Sequence, residues 1–361
     1  MLKVLVVDDS ALMRRQLRQI LEDTGEMEVQ TARNGQEALE RIGEFEPEVV
    51  TLDVNMPVMD GLTCLENIMR TCPRPVVMVS SITAAASDAA IRALSLGALD
   101  VITKPDGTVS LNLERMRLEL IGKVKVAGRG RPRRVTRLRE ALRAERAAGE
   151  ERRAIAALSA TMRTNPSVTL IGVSTGGPRT LEDILPEFPT DFLNAVVVAQ
   201  HMPAAFTQSF ARRMDSICAI KVMEVDRPTP LLPGHAYIGR GDADVVVERR
   251  LGRLVVNSVP SGKSAWHPSV DRLVRSAMAV MPAAALIGVQ LTGMGDDGAE
   301  AMTLLRAQGG RTVAESEETA AVFGMPAELI RRGGATAVLP SDRIAELILG
   351  WTSARSGSWG C

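Results

Sequence analysis

Short apolar runs alternate with amphipathic stretches along the first third of the chain. LKVLVV (2–7), EVVTLDV (48–54), PVVMVSS (75–81) and LDVITKP (99–105) are brief, continuous and rich in β-branched residues. That is the pattern of strands buried on both faces of a parallel sheet. Between them, SALMRRQLRQILED (10–23), NGQEALERIGEF (34–45) and DGLTCLENIMR (60–70) carry helical spacing, the first opened by Ser10 as an N-cap. A repeated strand–helix unit predicts an α/β domain whose parallel sheet is covered by helices on both faces.

The pattern stops near Leu120, where residues rich in Arg, Ala and Gly begin, and a second α/β pattern starts near Asn165. SVTLIGV (167–173), NAVVVAQ (194–200), AALIGVQLTG (284–293), RTVAES (311–316) and ATAVLP (335–340) read as buried strands. TLEDILPEF (180–188) and GMPAELIRRG (324–333) read as helices between them. The stretch AYIGRGDADVVVERRLGRLVVNSV (236–259) has shorter alternations broken by Gly-Asp and Leu-Gly, which predicts an antiparallel hairpin inserted in a mostly parallel, doubly wound domain. The resulting division is 1–120 for a first domain, 121–164 for a linker, 165–350 for a second domain and 351–361 for a tail expected to be disordered.

Composition narrows the functional classes. The formal net charge is zero, which gives no global reason to expect nucleic acid or an anionic membrane as partner. The linker is strongly basic (GRGRPRR, then RLREALRAERAAGEERR), but no aromatics interleave its arginines to stack on bases, so it reads as a solvated spacer whose latter half is helical. The four cysteines form no C-x-x-C pair and suit a reducing compartment. MLKVLVVDDS turns acidic too soon for a signal peptide, and no apolar run approaches the roughly 20 residues of a membrane span. A cytoplasmic protein without membrane insertion is expected.

Candidate chemistry follows from the rule that open parallel sheets bind ligands beyond the carboxyl ends of their strands. In the first domain those ends carry Asp8 and Asp9, then Asp53, Ser80 and Lys104. Three carboxylates brought together favour a cation, and Mg2+ suits them as a hard ion that also holds phosphate oxygens. A carboxylate can then act as nucleophile toward a phosphoryl group, with the lysine and a hydroxyl cradling the transferred oxygens. Asp9 as a helix cap and Lys104 as a turn residue are the plainer readings of each alone. All five at successive strand ends are harder to explain that way. This arrangement resembles the receiver domains of two-component response regulators. The resemblance implies a five-stranded flavodoxin-like (βα)5 fold, Asp53 as phosphoacceptor, and Mg2+ held by Asp8, Asp9, Asp53 and the Asn55 carbonyl. It further implies Ser80 and Lys104 as switch hydroxyl and phosphate-binding lysine, and a histidine kinase as phosphodonor. Val101 stands where many receivers carry an aromatic.

In the second domain GVSTGG (172–177) puts Ser174 at a strand-to-helix turn rich in backbone N–H groups. The same letters fit a harmless glycine turn or a G-x-S-x-G hydrolase elbow. Of the three histidines, His201 directly follows a strand, whereas His235 and His267 lie in loops. The third strand end is LTGMGDDG (291–298), a literal G-x-G-x-x-G that also fits a dinucleotide turn. Read that way it leaves Ser174 and His201 without a task, and it sets two carboxylates beside a pyrophosphate. Ser174, His201 and either Asp296 or Asp297 instead make a Ser/His/Asp constellation.

GVSTGG, AQHMP, LTGMGDDG and VFGMP together, downstream of a receiver, resemble the CheB family of chemotaxis protein-glutamate methylesterases. The resemblance covers nearly the whole chain apart from the linker and the last dozen residues. It implies Asp297 as the acid, and hydrolysis of glutamate γ-methyl esters on chemoreceptors with release of methanol, some members also deamidating receptor glutamines. It implies as well a receiver that hinders the active site until phosphorylated. Backbone N–H groups near Thr175 and Met294 are the candidate oxyanion donors, and no metal or other cofactor is expected for ester hydrolysis. A response regulator whose second domain only binds a partner is the alternative.

Overall fold

The computed structural model describes residues 1–81, 83–104, 110–128, 167–262, 264 and 266–354. Two parallel sheets carry it. The first contains β1 (Leu2–Val7), β2 (Met27–Ala32), β3 (Val49–Asp53), β4 (Val76–Ser80) and β5 (Asp100–Thr103). Its order is β2-β1-β3-β4-β5 and every pairing is parallel. Helices α1 (Ala11–Glu22), α2 (Gly35–Phe45), α3 (Gly61–Thr71), α4 (Ala84–Leu96) and α5 (Ser110–Ala127) connect and cover it. This is the flavodoxin-like order, whose switch point lies between β1 and β3. Local chemistry sets the helix starts: Ser10, Asn34, Asp60 and Thr83 each accept a hydrogen bond from the N–H three residues on.

The second sheet contains β6 (Ser167–Val173), β7 (Asn194–Gln200), β8 (Lys221–Val225), β10 (His235–Gly239), β13 (Leu286–Gln290), β14 (Arg311–Glu315) and β15 (Ala337–Leu339). Its order is β15-β14-β13-β6-β7-β10-β8, again wholly parallel. The helices are α6 (Gly177–Ile184), α7 (Ala204–Asp215), α8 (Val270–Val280), α9 (Ala299–Ala307), α10 (Met325–Arg331) and α11 (Ser341–Ala354). A separate three-stranded antiparallel sheet shares the main sheet's core through Val245, Val247 and Val256, with β11 (Ala243–Arg250) and β12 (Arg253–Pro260) joined by a two-residue turn, and the short β9 (Thr229–Pro230) beside β12. Leu251 and Gly252 both have positive φ (47° and 78°), the backbone a tight hairpin with right-handed strand twist demands.

Three readings need correction. The stretch from Ala236 is not all hairpin: AYIG belongs to β10, a buried strand pairing with β7 and β8 in the main sheet, and only the residues from Ala243 turn antiparallel. Nor does the linker begin at 121. Helix α5 continues to Ala127, because Met116, Leu120, Val124 and Ala127 recur at helical spacing and are buried in the core of the first sheet. Nor does the second domain's order stop at 350: residues 351–354, expected to open a disordered tail, complete α11. The basic stretch from 129 to 166, with its expected helix, and residues 355–361 lie outside the described residues. Among the described residues, no helix is long and apolar enough to cross a membrane.

Candidate active site

At the switch point of the first sheet, Asp8, Asp9 and Asp53 can each offer a carboxylate oxygen, all within 4.8 Å of one another. Lys104 at the end of β5 reaches both Asp8 Oδ2 and Asp53 Oδ2 at 2.8 Å. One ammonium among three carboxylates leaves a net negative cluster of hard oxygen donors, a set that fits Mg2+. Burial pushes the Asp53 carboxyl above its ordinary range; Lys104 opposes this, but its charge is shared with Asp8, whose own charge adds to the rise. Lys104 is also displaced upward: burial would lower it, and its bonds to Asp53 and Asp8 outweigh that. Ser80 is fully buried at the end of β4, its hydroxyl 3.4 Å from the Ala86 carbonyl. Asn55, two residues past the end of β3, is exposed. The five residues read from strand ends therefore lie along one edge, Val101 being buried in β5 behind them.

In the second sheet, β6 has β13 on one side and β7 on the other, again a switch point. The register pairs Val173 with Gln200, so Ser174 and His201 leave adjacent strands at the same level, and the His201 N–H donates to the Val173 carbonyl at 3.0 Å. Ser174, His201 and Asp297 are all buried. His201 Nε2 lies 2.9 Å from Asp297 Oδ2, and Nδ1 has no partner among the described residues. Asp297 also accepts from Val270 N (2.7 Å), Asp271 N (3.0 Å) and Ser269 Oγ (3.1 Å) at the start of α8. Burial alone would raise this carboxyl. The His201 bond and charge, with the N–H groups of Asp271 and Val270, outweigh burial and hold it below the usual range. Asp296 points outward to Arg332 at 3.3 Å. The two aspartates that spacing could not separate are thus separated by geometry.

The glycines of LTGMGDDG serve packing. A Cβ on Gly293 would stand 2.7 Å from Ser174 Cβ, so only glycine lets this turn lie against the serine. Gly298 has φ +93° and abuts Val270. The turn after β6 is held by its neighbours: Ser174 N donates to Thr292 O (2.9 Å), Gly177 N to Ser174 O (2.8 Å), Thr292 Oγ1 to Thr175 O (2.9 Å) and Gln200 Nε2 to Ser174 O (3.0 Å). Among the described residues no protein acceptor engages the N–H of Thr175 or of Met294. Two unspent donors flanking a buried hydroxyl can receive a developing oxyanion.

Groups that sequence reasoning missed come from the first domain. Gly176 N donates to the Leu99 carbonyl (3.1 Å), and Thr175 Oγ1 donates to Asp100 Oδ2 (2.6 Å). Asp100 is steadied by Lys123 of α5 at 2.8 Å. Further out, Ser95 Oγ donates to Glu182 (2.6 Å) and Arg212 pairs with Asp88 (3.0 Å), while α4 packs on α6 and α7. A Cβ on Gly122 would lie 3.4 Å from the Met294 methyl, so α5 overlies that turn. The other two histidines stand elsewhere: His235 faces the Pro233 carbonyl, and His267 pairs with Asp244.

The fold and sites define a class: a receiver-like acidic sheet edge joined to an α/β domain bearing a Ser/His/Asp constellation. Comparison with known proteins agrees. Residues 4–113 match the response regulator receiver domain and residues 169–348 match the CheB methylesterase domain. A curated relative from Rhodospirillum rubrum, protein-glutamate methylesterase/protein-glutamine glutaminase 3, is 52% identical over 358 residues, covering 98% of this chain and 97% of its own. One from Rhodopseudomonas palustris with the same activities in its name is 50% identical, covering 98% and 99%. The crystal structure of the Thermotoga maritima CheB methylesterase catalytic domain superposes with a TM-score of 0.50 at 37% identity, covering 52% of this chain and 99% of that one. The chain belongs to the CheB methylesterase family, with an N-terminal response regulator receiver domain.

Proposed function

We propose that this protein is a cytoplasmic, phosphorylation-activated hydrolase that removes methyl esters from glutamate side chains of chemoreceptors. The observation that carries the reading is the buried Asp297–His201 pair set beside Ser174 on adjoining strands. Ser174 attacks the ester carbonyl while His201 Nδ1 takes its proton. The Thr175 and Met294 N–H groups receive the oxyanion, and His201 returns the proton to the departing methanol. Water, activated by the same imidazole, then hydrolyses the acyl-serine to glutamate. Asp297 keeps the Nε2 proton in place and stabilises the imidazolium. The same attack on a glutamine amide releases ammonia, which accounts for a glutaminase activity like that in the relatives' names.

In the receiver, Asp53 is the phosphoacceptor and a histidine kinase the donor. Asp8, Asp9, Asp53 and the Asn55 carbonyl would hold Mg2+, which when bound offsets negative charge around the incoming phosphoryl group. Lys104 supplies a fixed positive charge, and Ser80 a hydroxyl that can turn toward the phosphate. The docked receiver occupies the rim of the esterase site through Leu99, Asp100 and α5. Phosphorylation favours its release.

The deciding measurement is methanol release from methylated receptor membranes with and without acetyl phosphate. Wild type should respond strongly to the phosphodonor, whereas Asp53→Asn should keep only basal release. Stimulation of Asp53→Asn equal to wild type would refute the switch. Asp100→Ala tests the gate itself. It removes a charge-assisted hydrogen bond of about 1.5 kcal/mol, so release without phosphodonor should rise about tenfold and the stimulation shrink correspondingly. Unchanged basal release would show that Asp100 does not hold the closed state.

A further inference from the structure

We propose that Trp266 is a positioning residue that fixes the plane of the His201 ring, on a loop anchored by buried Asp244. This rests on the reading of His201 as the proton carrier. The Trp266 indole lies nearly parallel to the His201 imidazole, with 5.7 Å between centroids and 10° between planes. Its Nε1 is 3.5 Å from where a Cβ on Gly295 would sit, so the indole spans from the imidazole to the turn that carries Met294. Among the described residues His201 makes a single side-chain hydrogen bond, from Nε2 to Asp297. One such bond sets the ring's distance but leaves it free to rock about the bond direction. Rocking moves Nδ1, the atom that must meet the Ser174 hydroxyl. A stacked indole removes that freedom.

The loop is built to hold the indole there. It joins β12 to α8, and the Asp244 carboxylate, buried at the start of β11, clasps both its ends. Asp244 accepts from Gly262 N (3.0 Å) on one side, and from His267 Nδ1 (2.8 Å) and Ser269 N (2.8 Å) on the other. Arg272 Nη1, at 2.6 Å, completes the set. With four donors filling its oxygens, this carboxylate has no free acceptor for proton transfer, and its task is anchorage. His267 and Asp244 thus look like a second acid–imidazole pair but serve the first. Ser269 belongs to both networks, since its hydroxyl donates to Asp297.

The test uses the full chain with acetyl phosphate and follows methanol release from methylated receptor membranes. Trp266→Ala should lower kcat by about ten- to a hundredfold, the scale of a displaced catalytic group, with KM within about twofold. Trp266→Phe restores a flat ring and should recover most of kcat. Trp266→Leu is comparably apolar without a planar face and should not. Asp244→Asn should reproduce the kcat loss with Trp266 still present. Wild-type kcat in Trp266→Ala, equal rescue by leucine and phenylalanine, or a loss confined to KM would each overturn the proposal. Ser174→Ala in the same assay separates the two levels: a dead Ser174→Ala beside a normal Trp266→Ala removes only this inference, and an active Ser174→Ala removes the catalytic reading beneath it.

Discussion

Ser174→Ala is expected to lower the turnover of methylated receptors by on the order of a millionfold, and His201→Ala by about as much. The two groups act as one unit. The serine is a poor nucleophile unless the imidazole takes its proton, and the imidazole has nothing to activate once the hydroxyl is gone. The double variant should therefore be little worse than either single one. The check is methanol release at saturating acetyl phosphate, together with labelling of the active serine by an organophosphonate. Both variants should still be phosphorylated at Asp53, because that carboxylate lies in the other sheet. Turnover within tenfold of wild type for either variant would remove Ser174 and His201 from the chemistry. Their surroundings are otherwise kept: the bonds that shape the Ser174 turn are made by main chain, Thr292 and Gln200, none of which the substitutions touch.

Much of this architecture could be read from the chain because buried parallel strands are continuous apolar runs, and the rule that ligands bind past their carboxyl ends turns such a list into a list of site residues. That logic reached Asp8, Asp9, Asp53, Ser80, Lys104, Ser174 and His201 from residues alone, and all lie at or just past strand ends. It failed where elements are marginal in pattern. Strand β2 lies at a sheet edge with Glu28 exposed, and its polar alternation hides it; β8 is likewise an edge strand begun by an exposed lysine. Helix α4 is built mostly of alanine and serine, with few large apolar residues to mark a face, yet it forms much of the contact with α6 and α7.

Tertiary juxtaposition was out of reach for a different reason. Asp100 and Thr175 are 75 positions apart and meet only because one domain docks on the other, so no local signal marks either. Trp266 and Asp244 gain their roles from a loop fold that spacing does not encode. The choice between Asp296 and Asp297 was equally hidden. Adjacent residues in a turn share every compositional feature, and only the folded turn, with Gly295 and Gly298 at positive φ on either side of the pair, buries Asp297 and leaves Asp296 exposed.

That choice yields the second large effect. Asp297→Asn should reduce kcat by about ten-thousandfold, whereas Asp296→Asn should stay within about twofold of wild type. The carboxylate accepts a proton held on His201 Nε2, which leaves the Nδ1 lone pair for the serine. An asparagine amide can turn its NH2 toward Nε2 instead, forcing the ring proton onto Nδ1, and that tautomer cannot take the serine proton. A stability signature accompanies the loss. The folded pKa of Asp297 is depressed, so the carboxylate contributes stability fully above its unfolded value, near about 4, and the contribution fades as pH falls through the lower folded value. Asp297→Asn should therefore lower Tm at pH 7, and the gap to wild type should close on acidification below about pH 4. A gap that persisted unchanged at low pH would assign the damage to packing rather than to charge at the start of α8. Full activity in Asp297→Asn with a crippled Asp296→Asn would reverse the assignment of the acid.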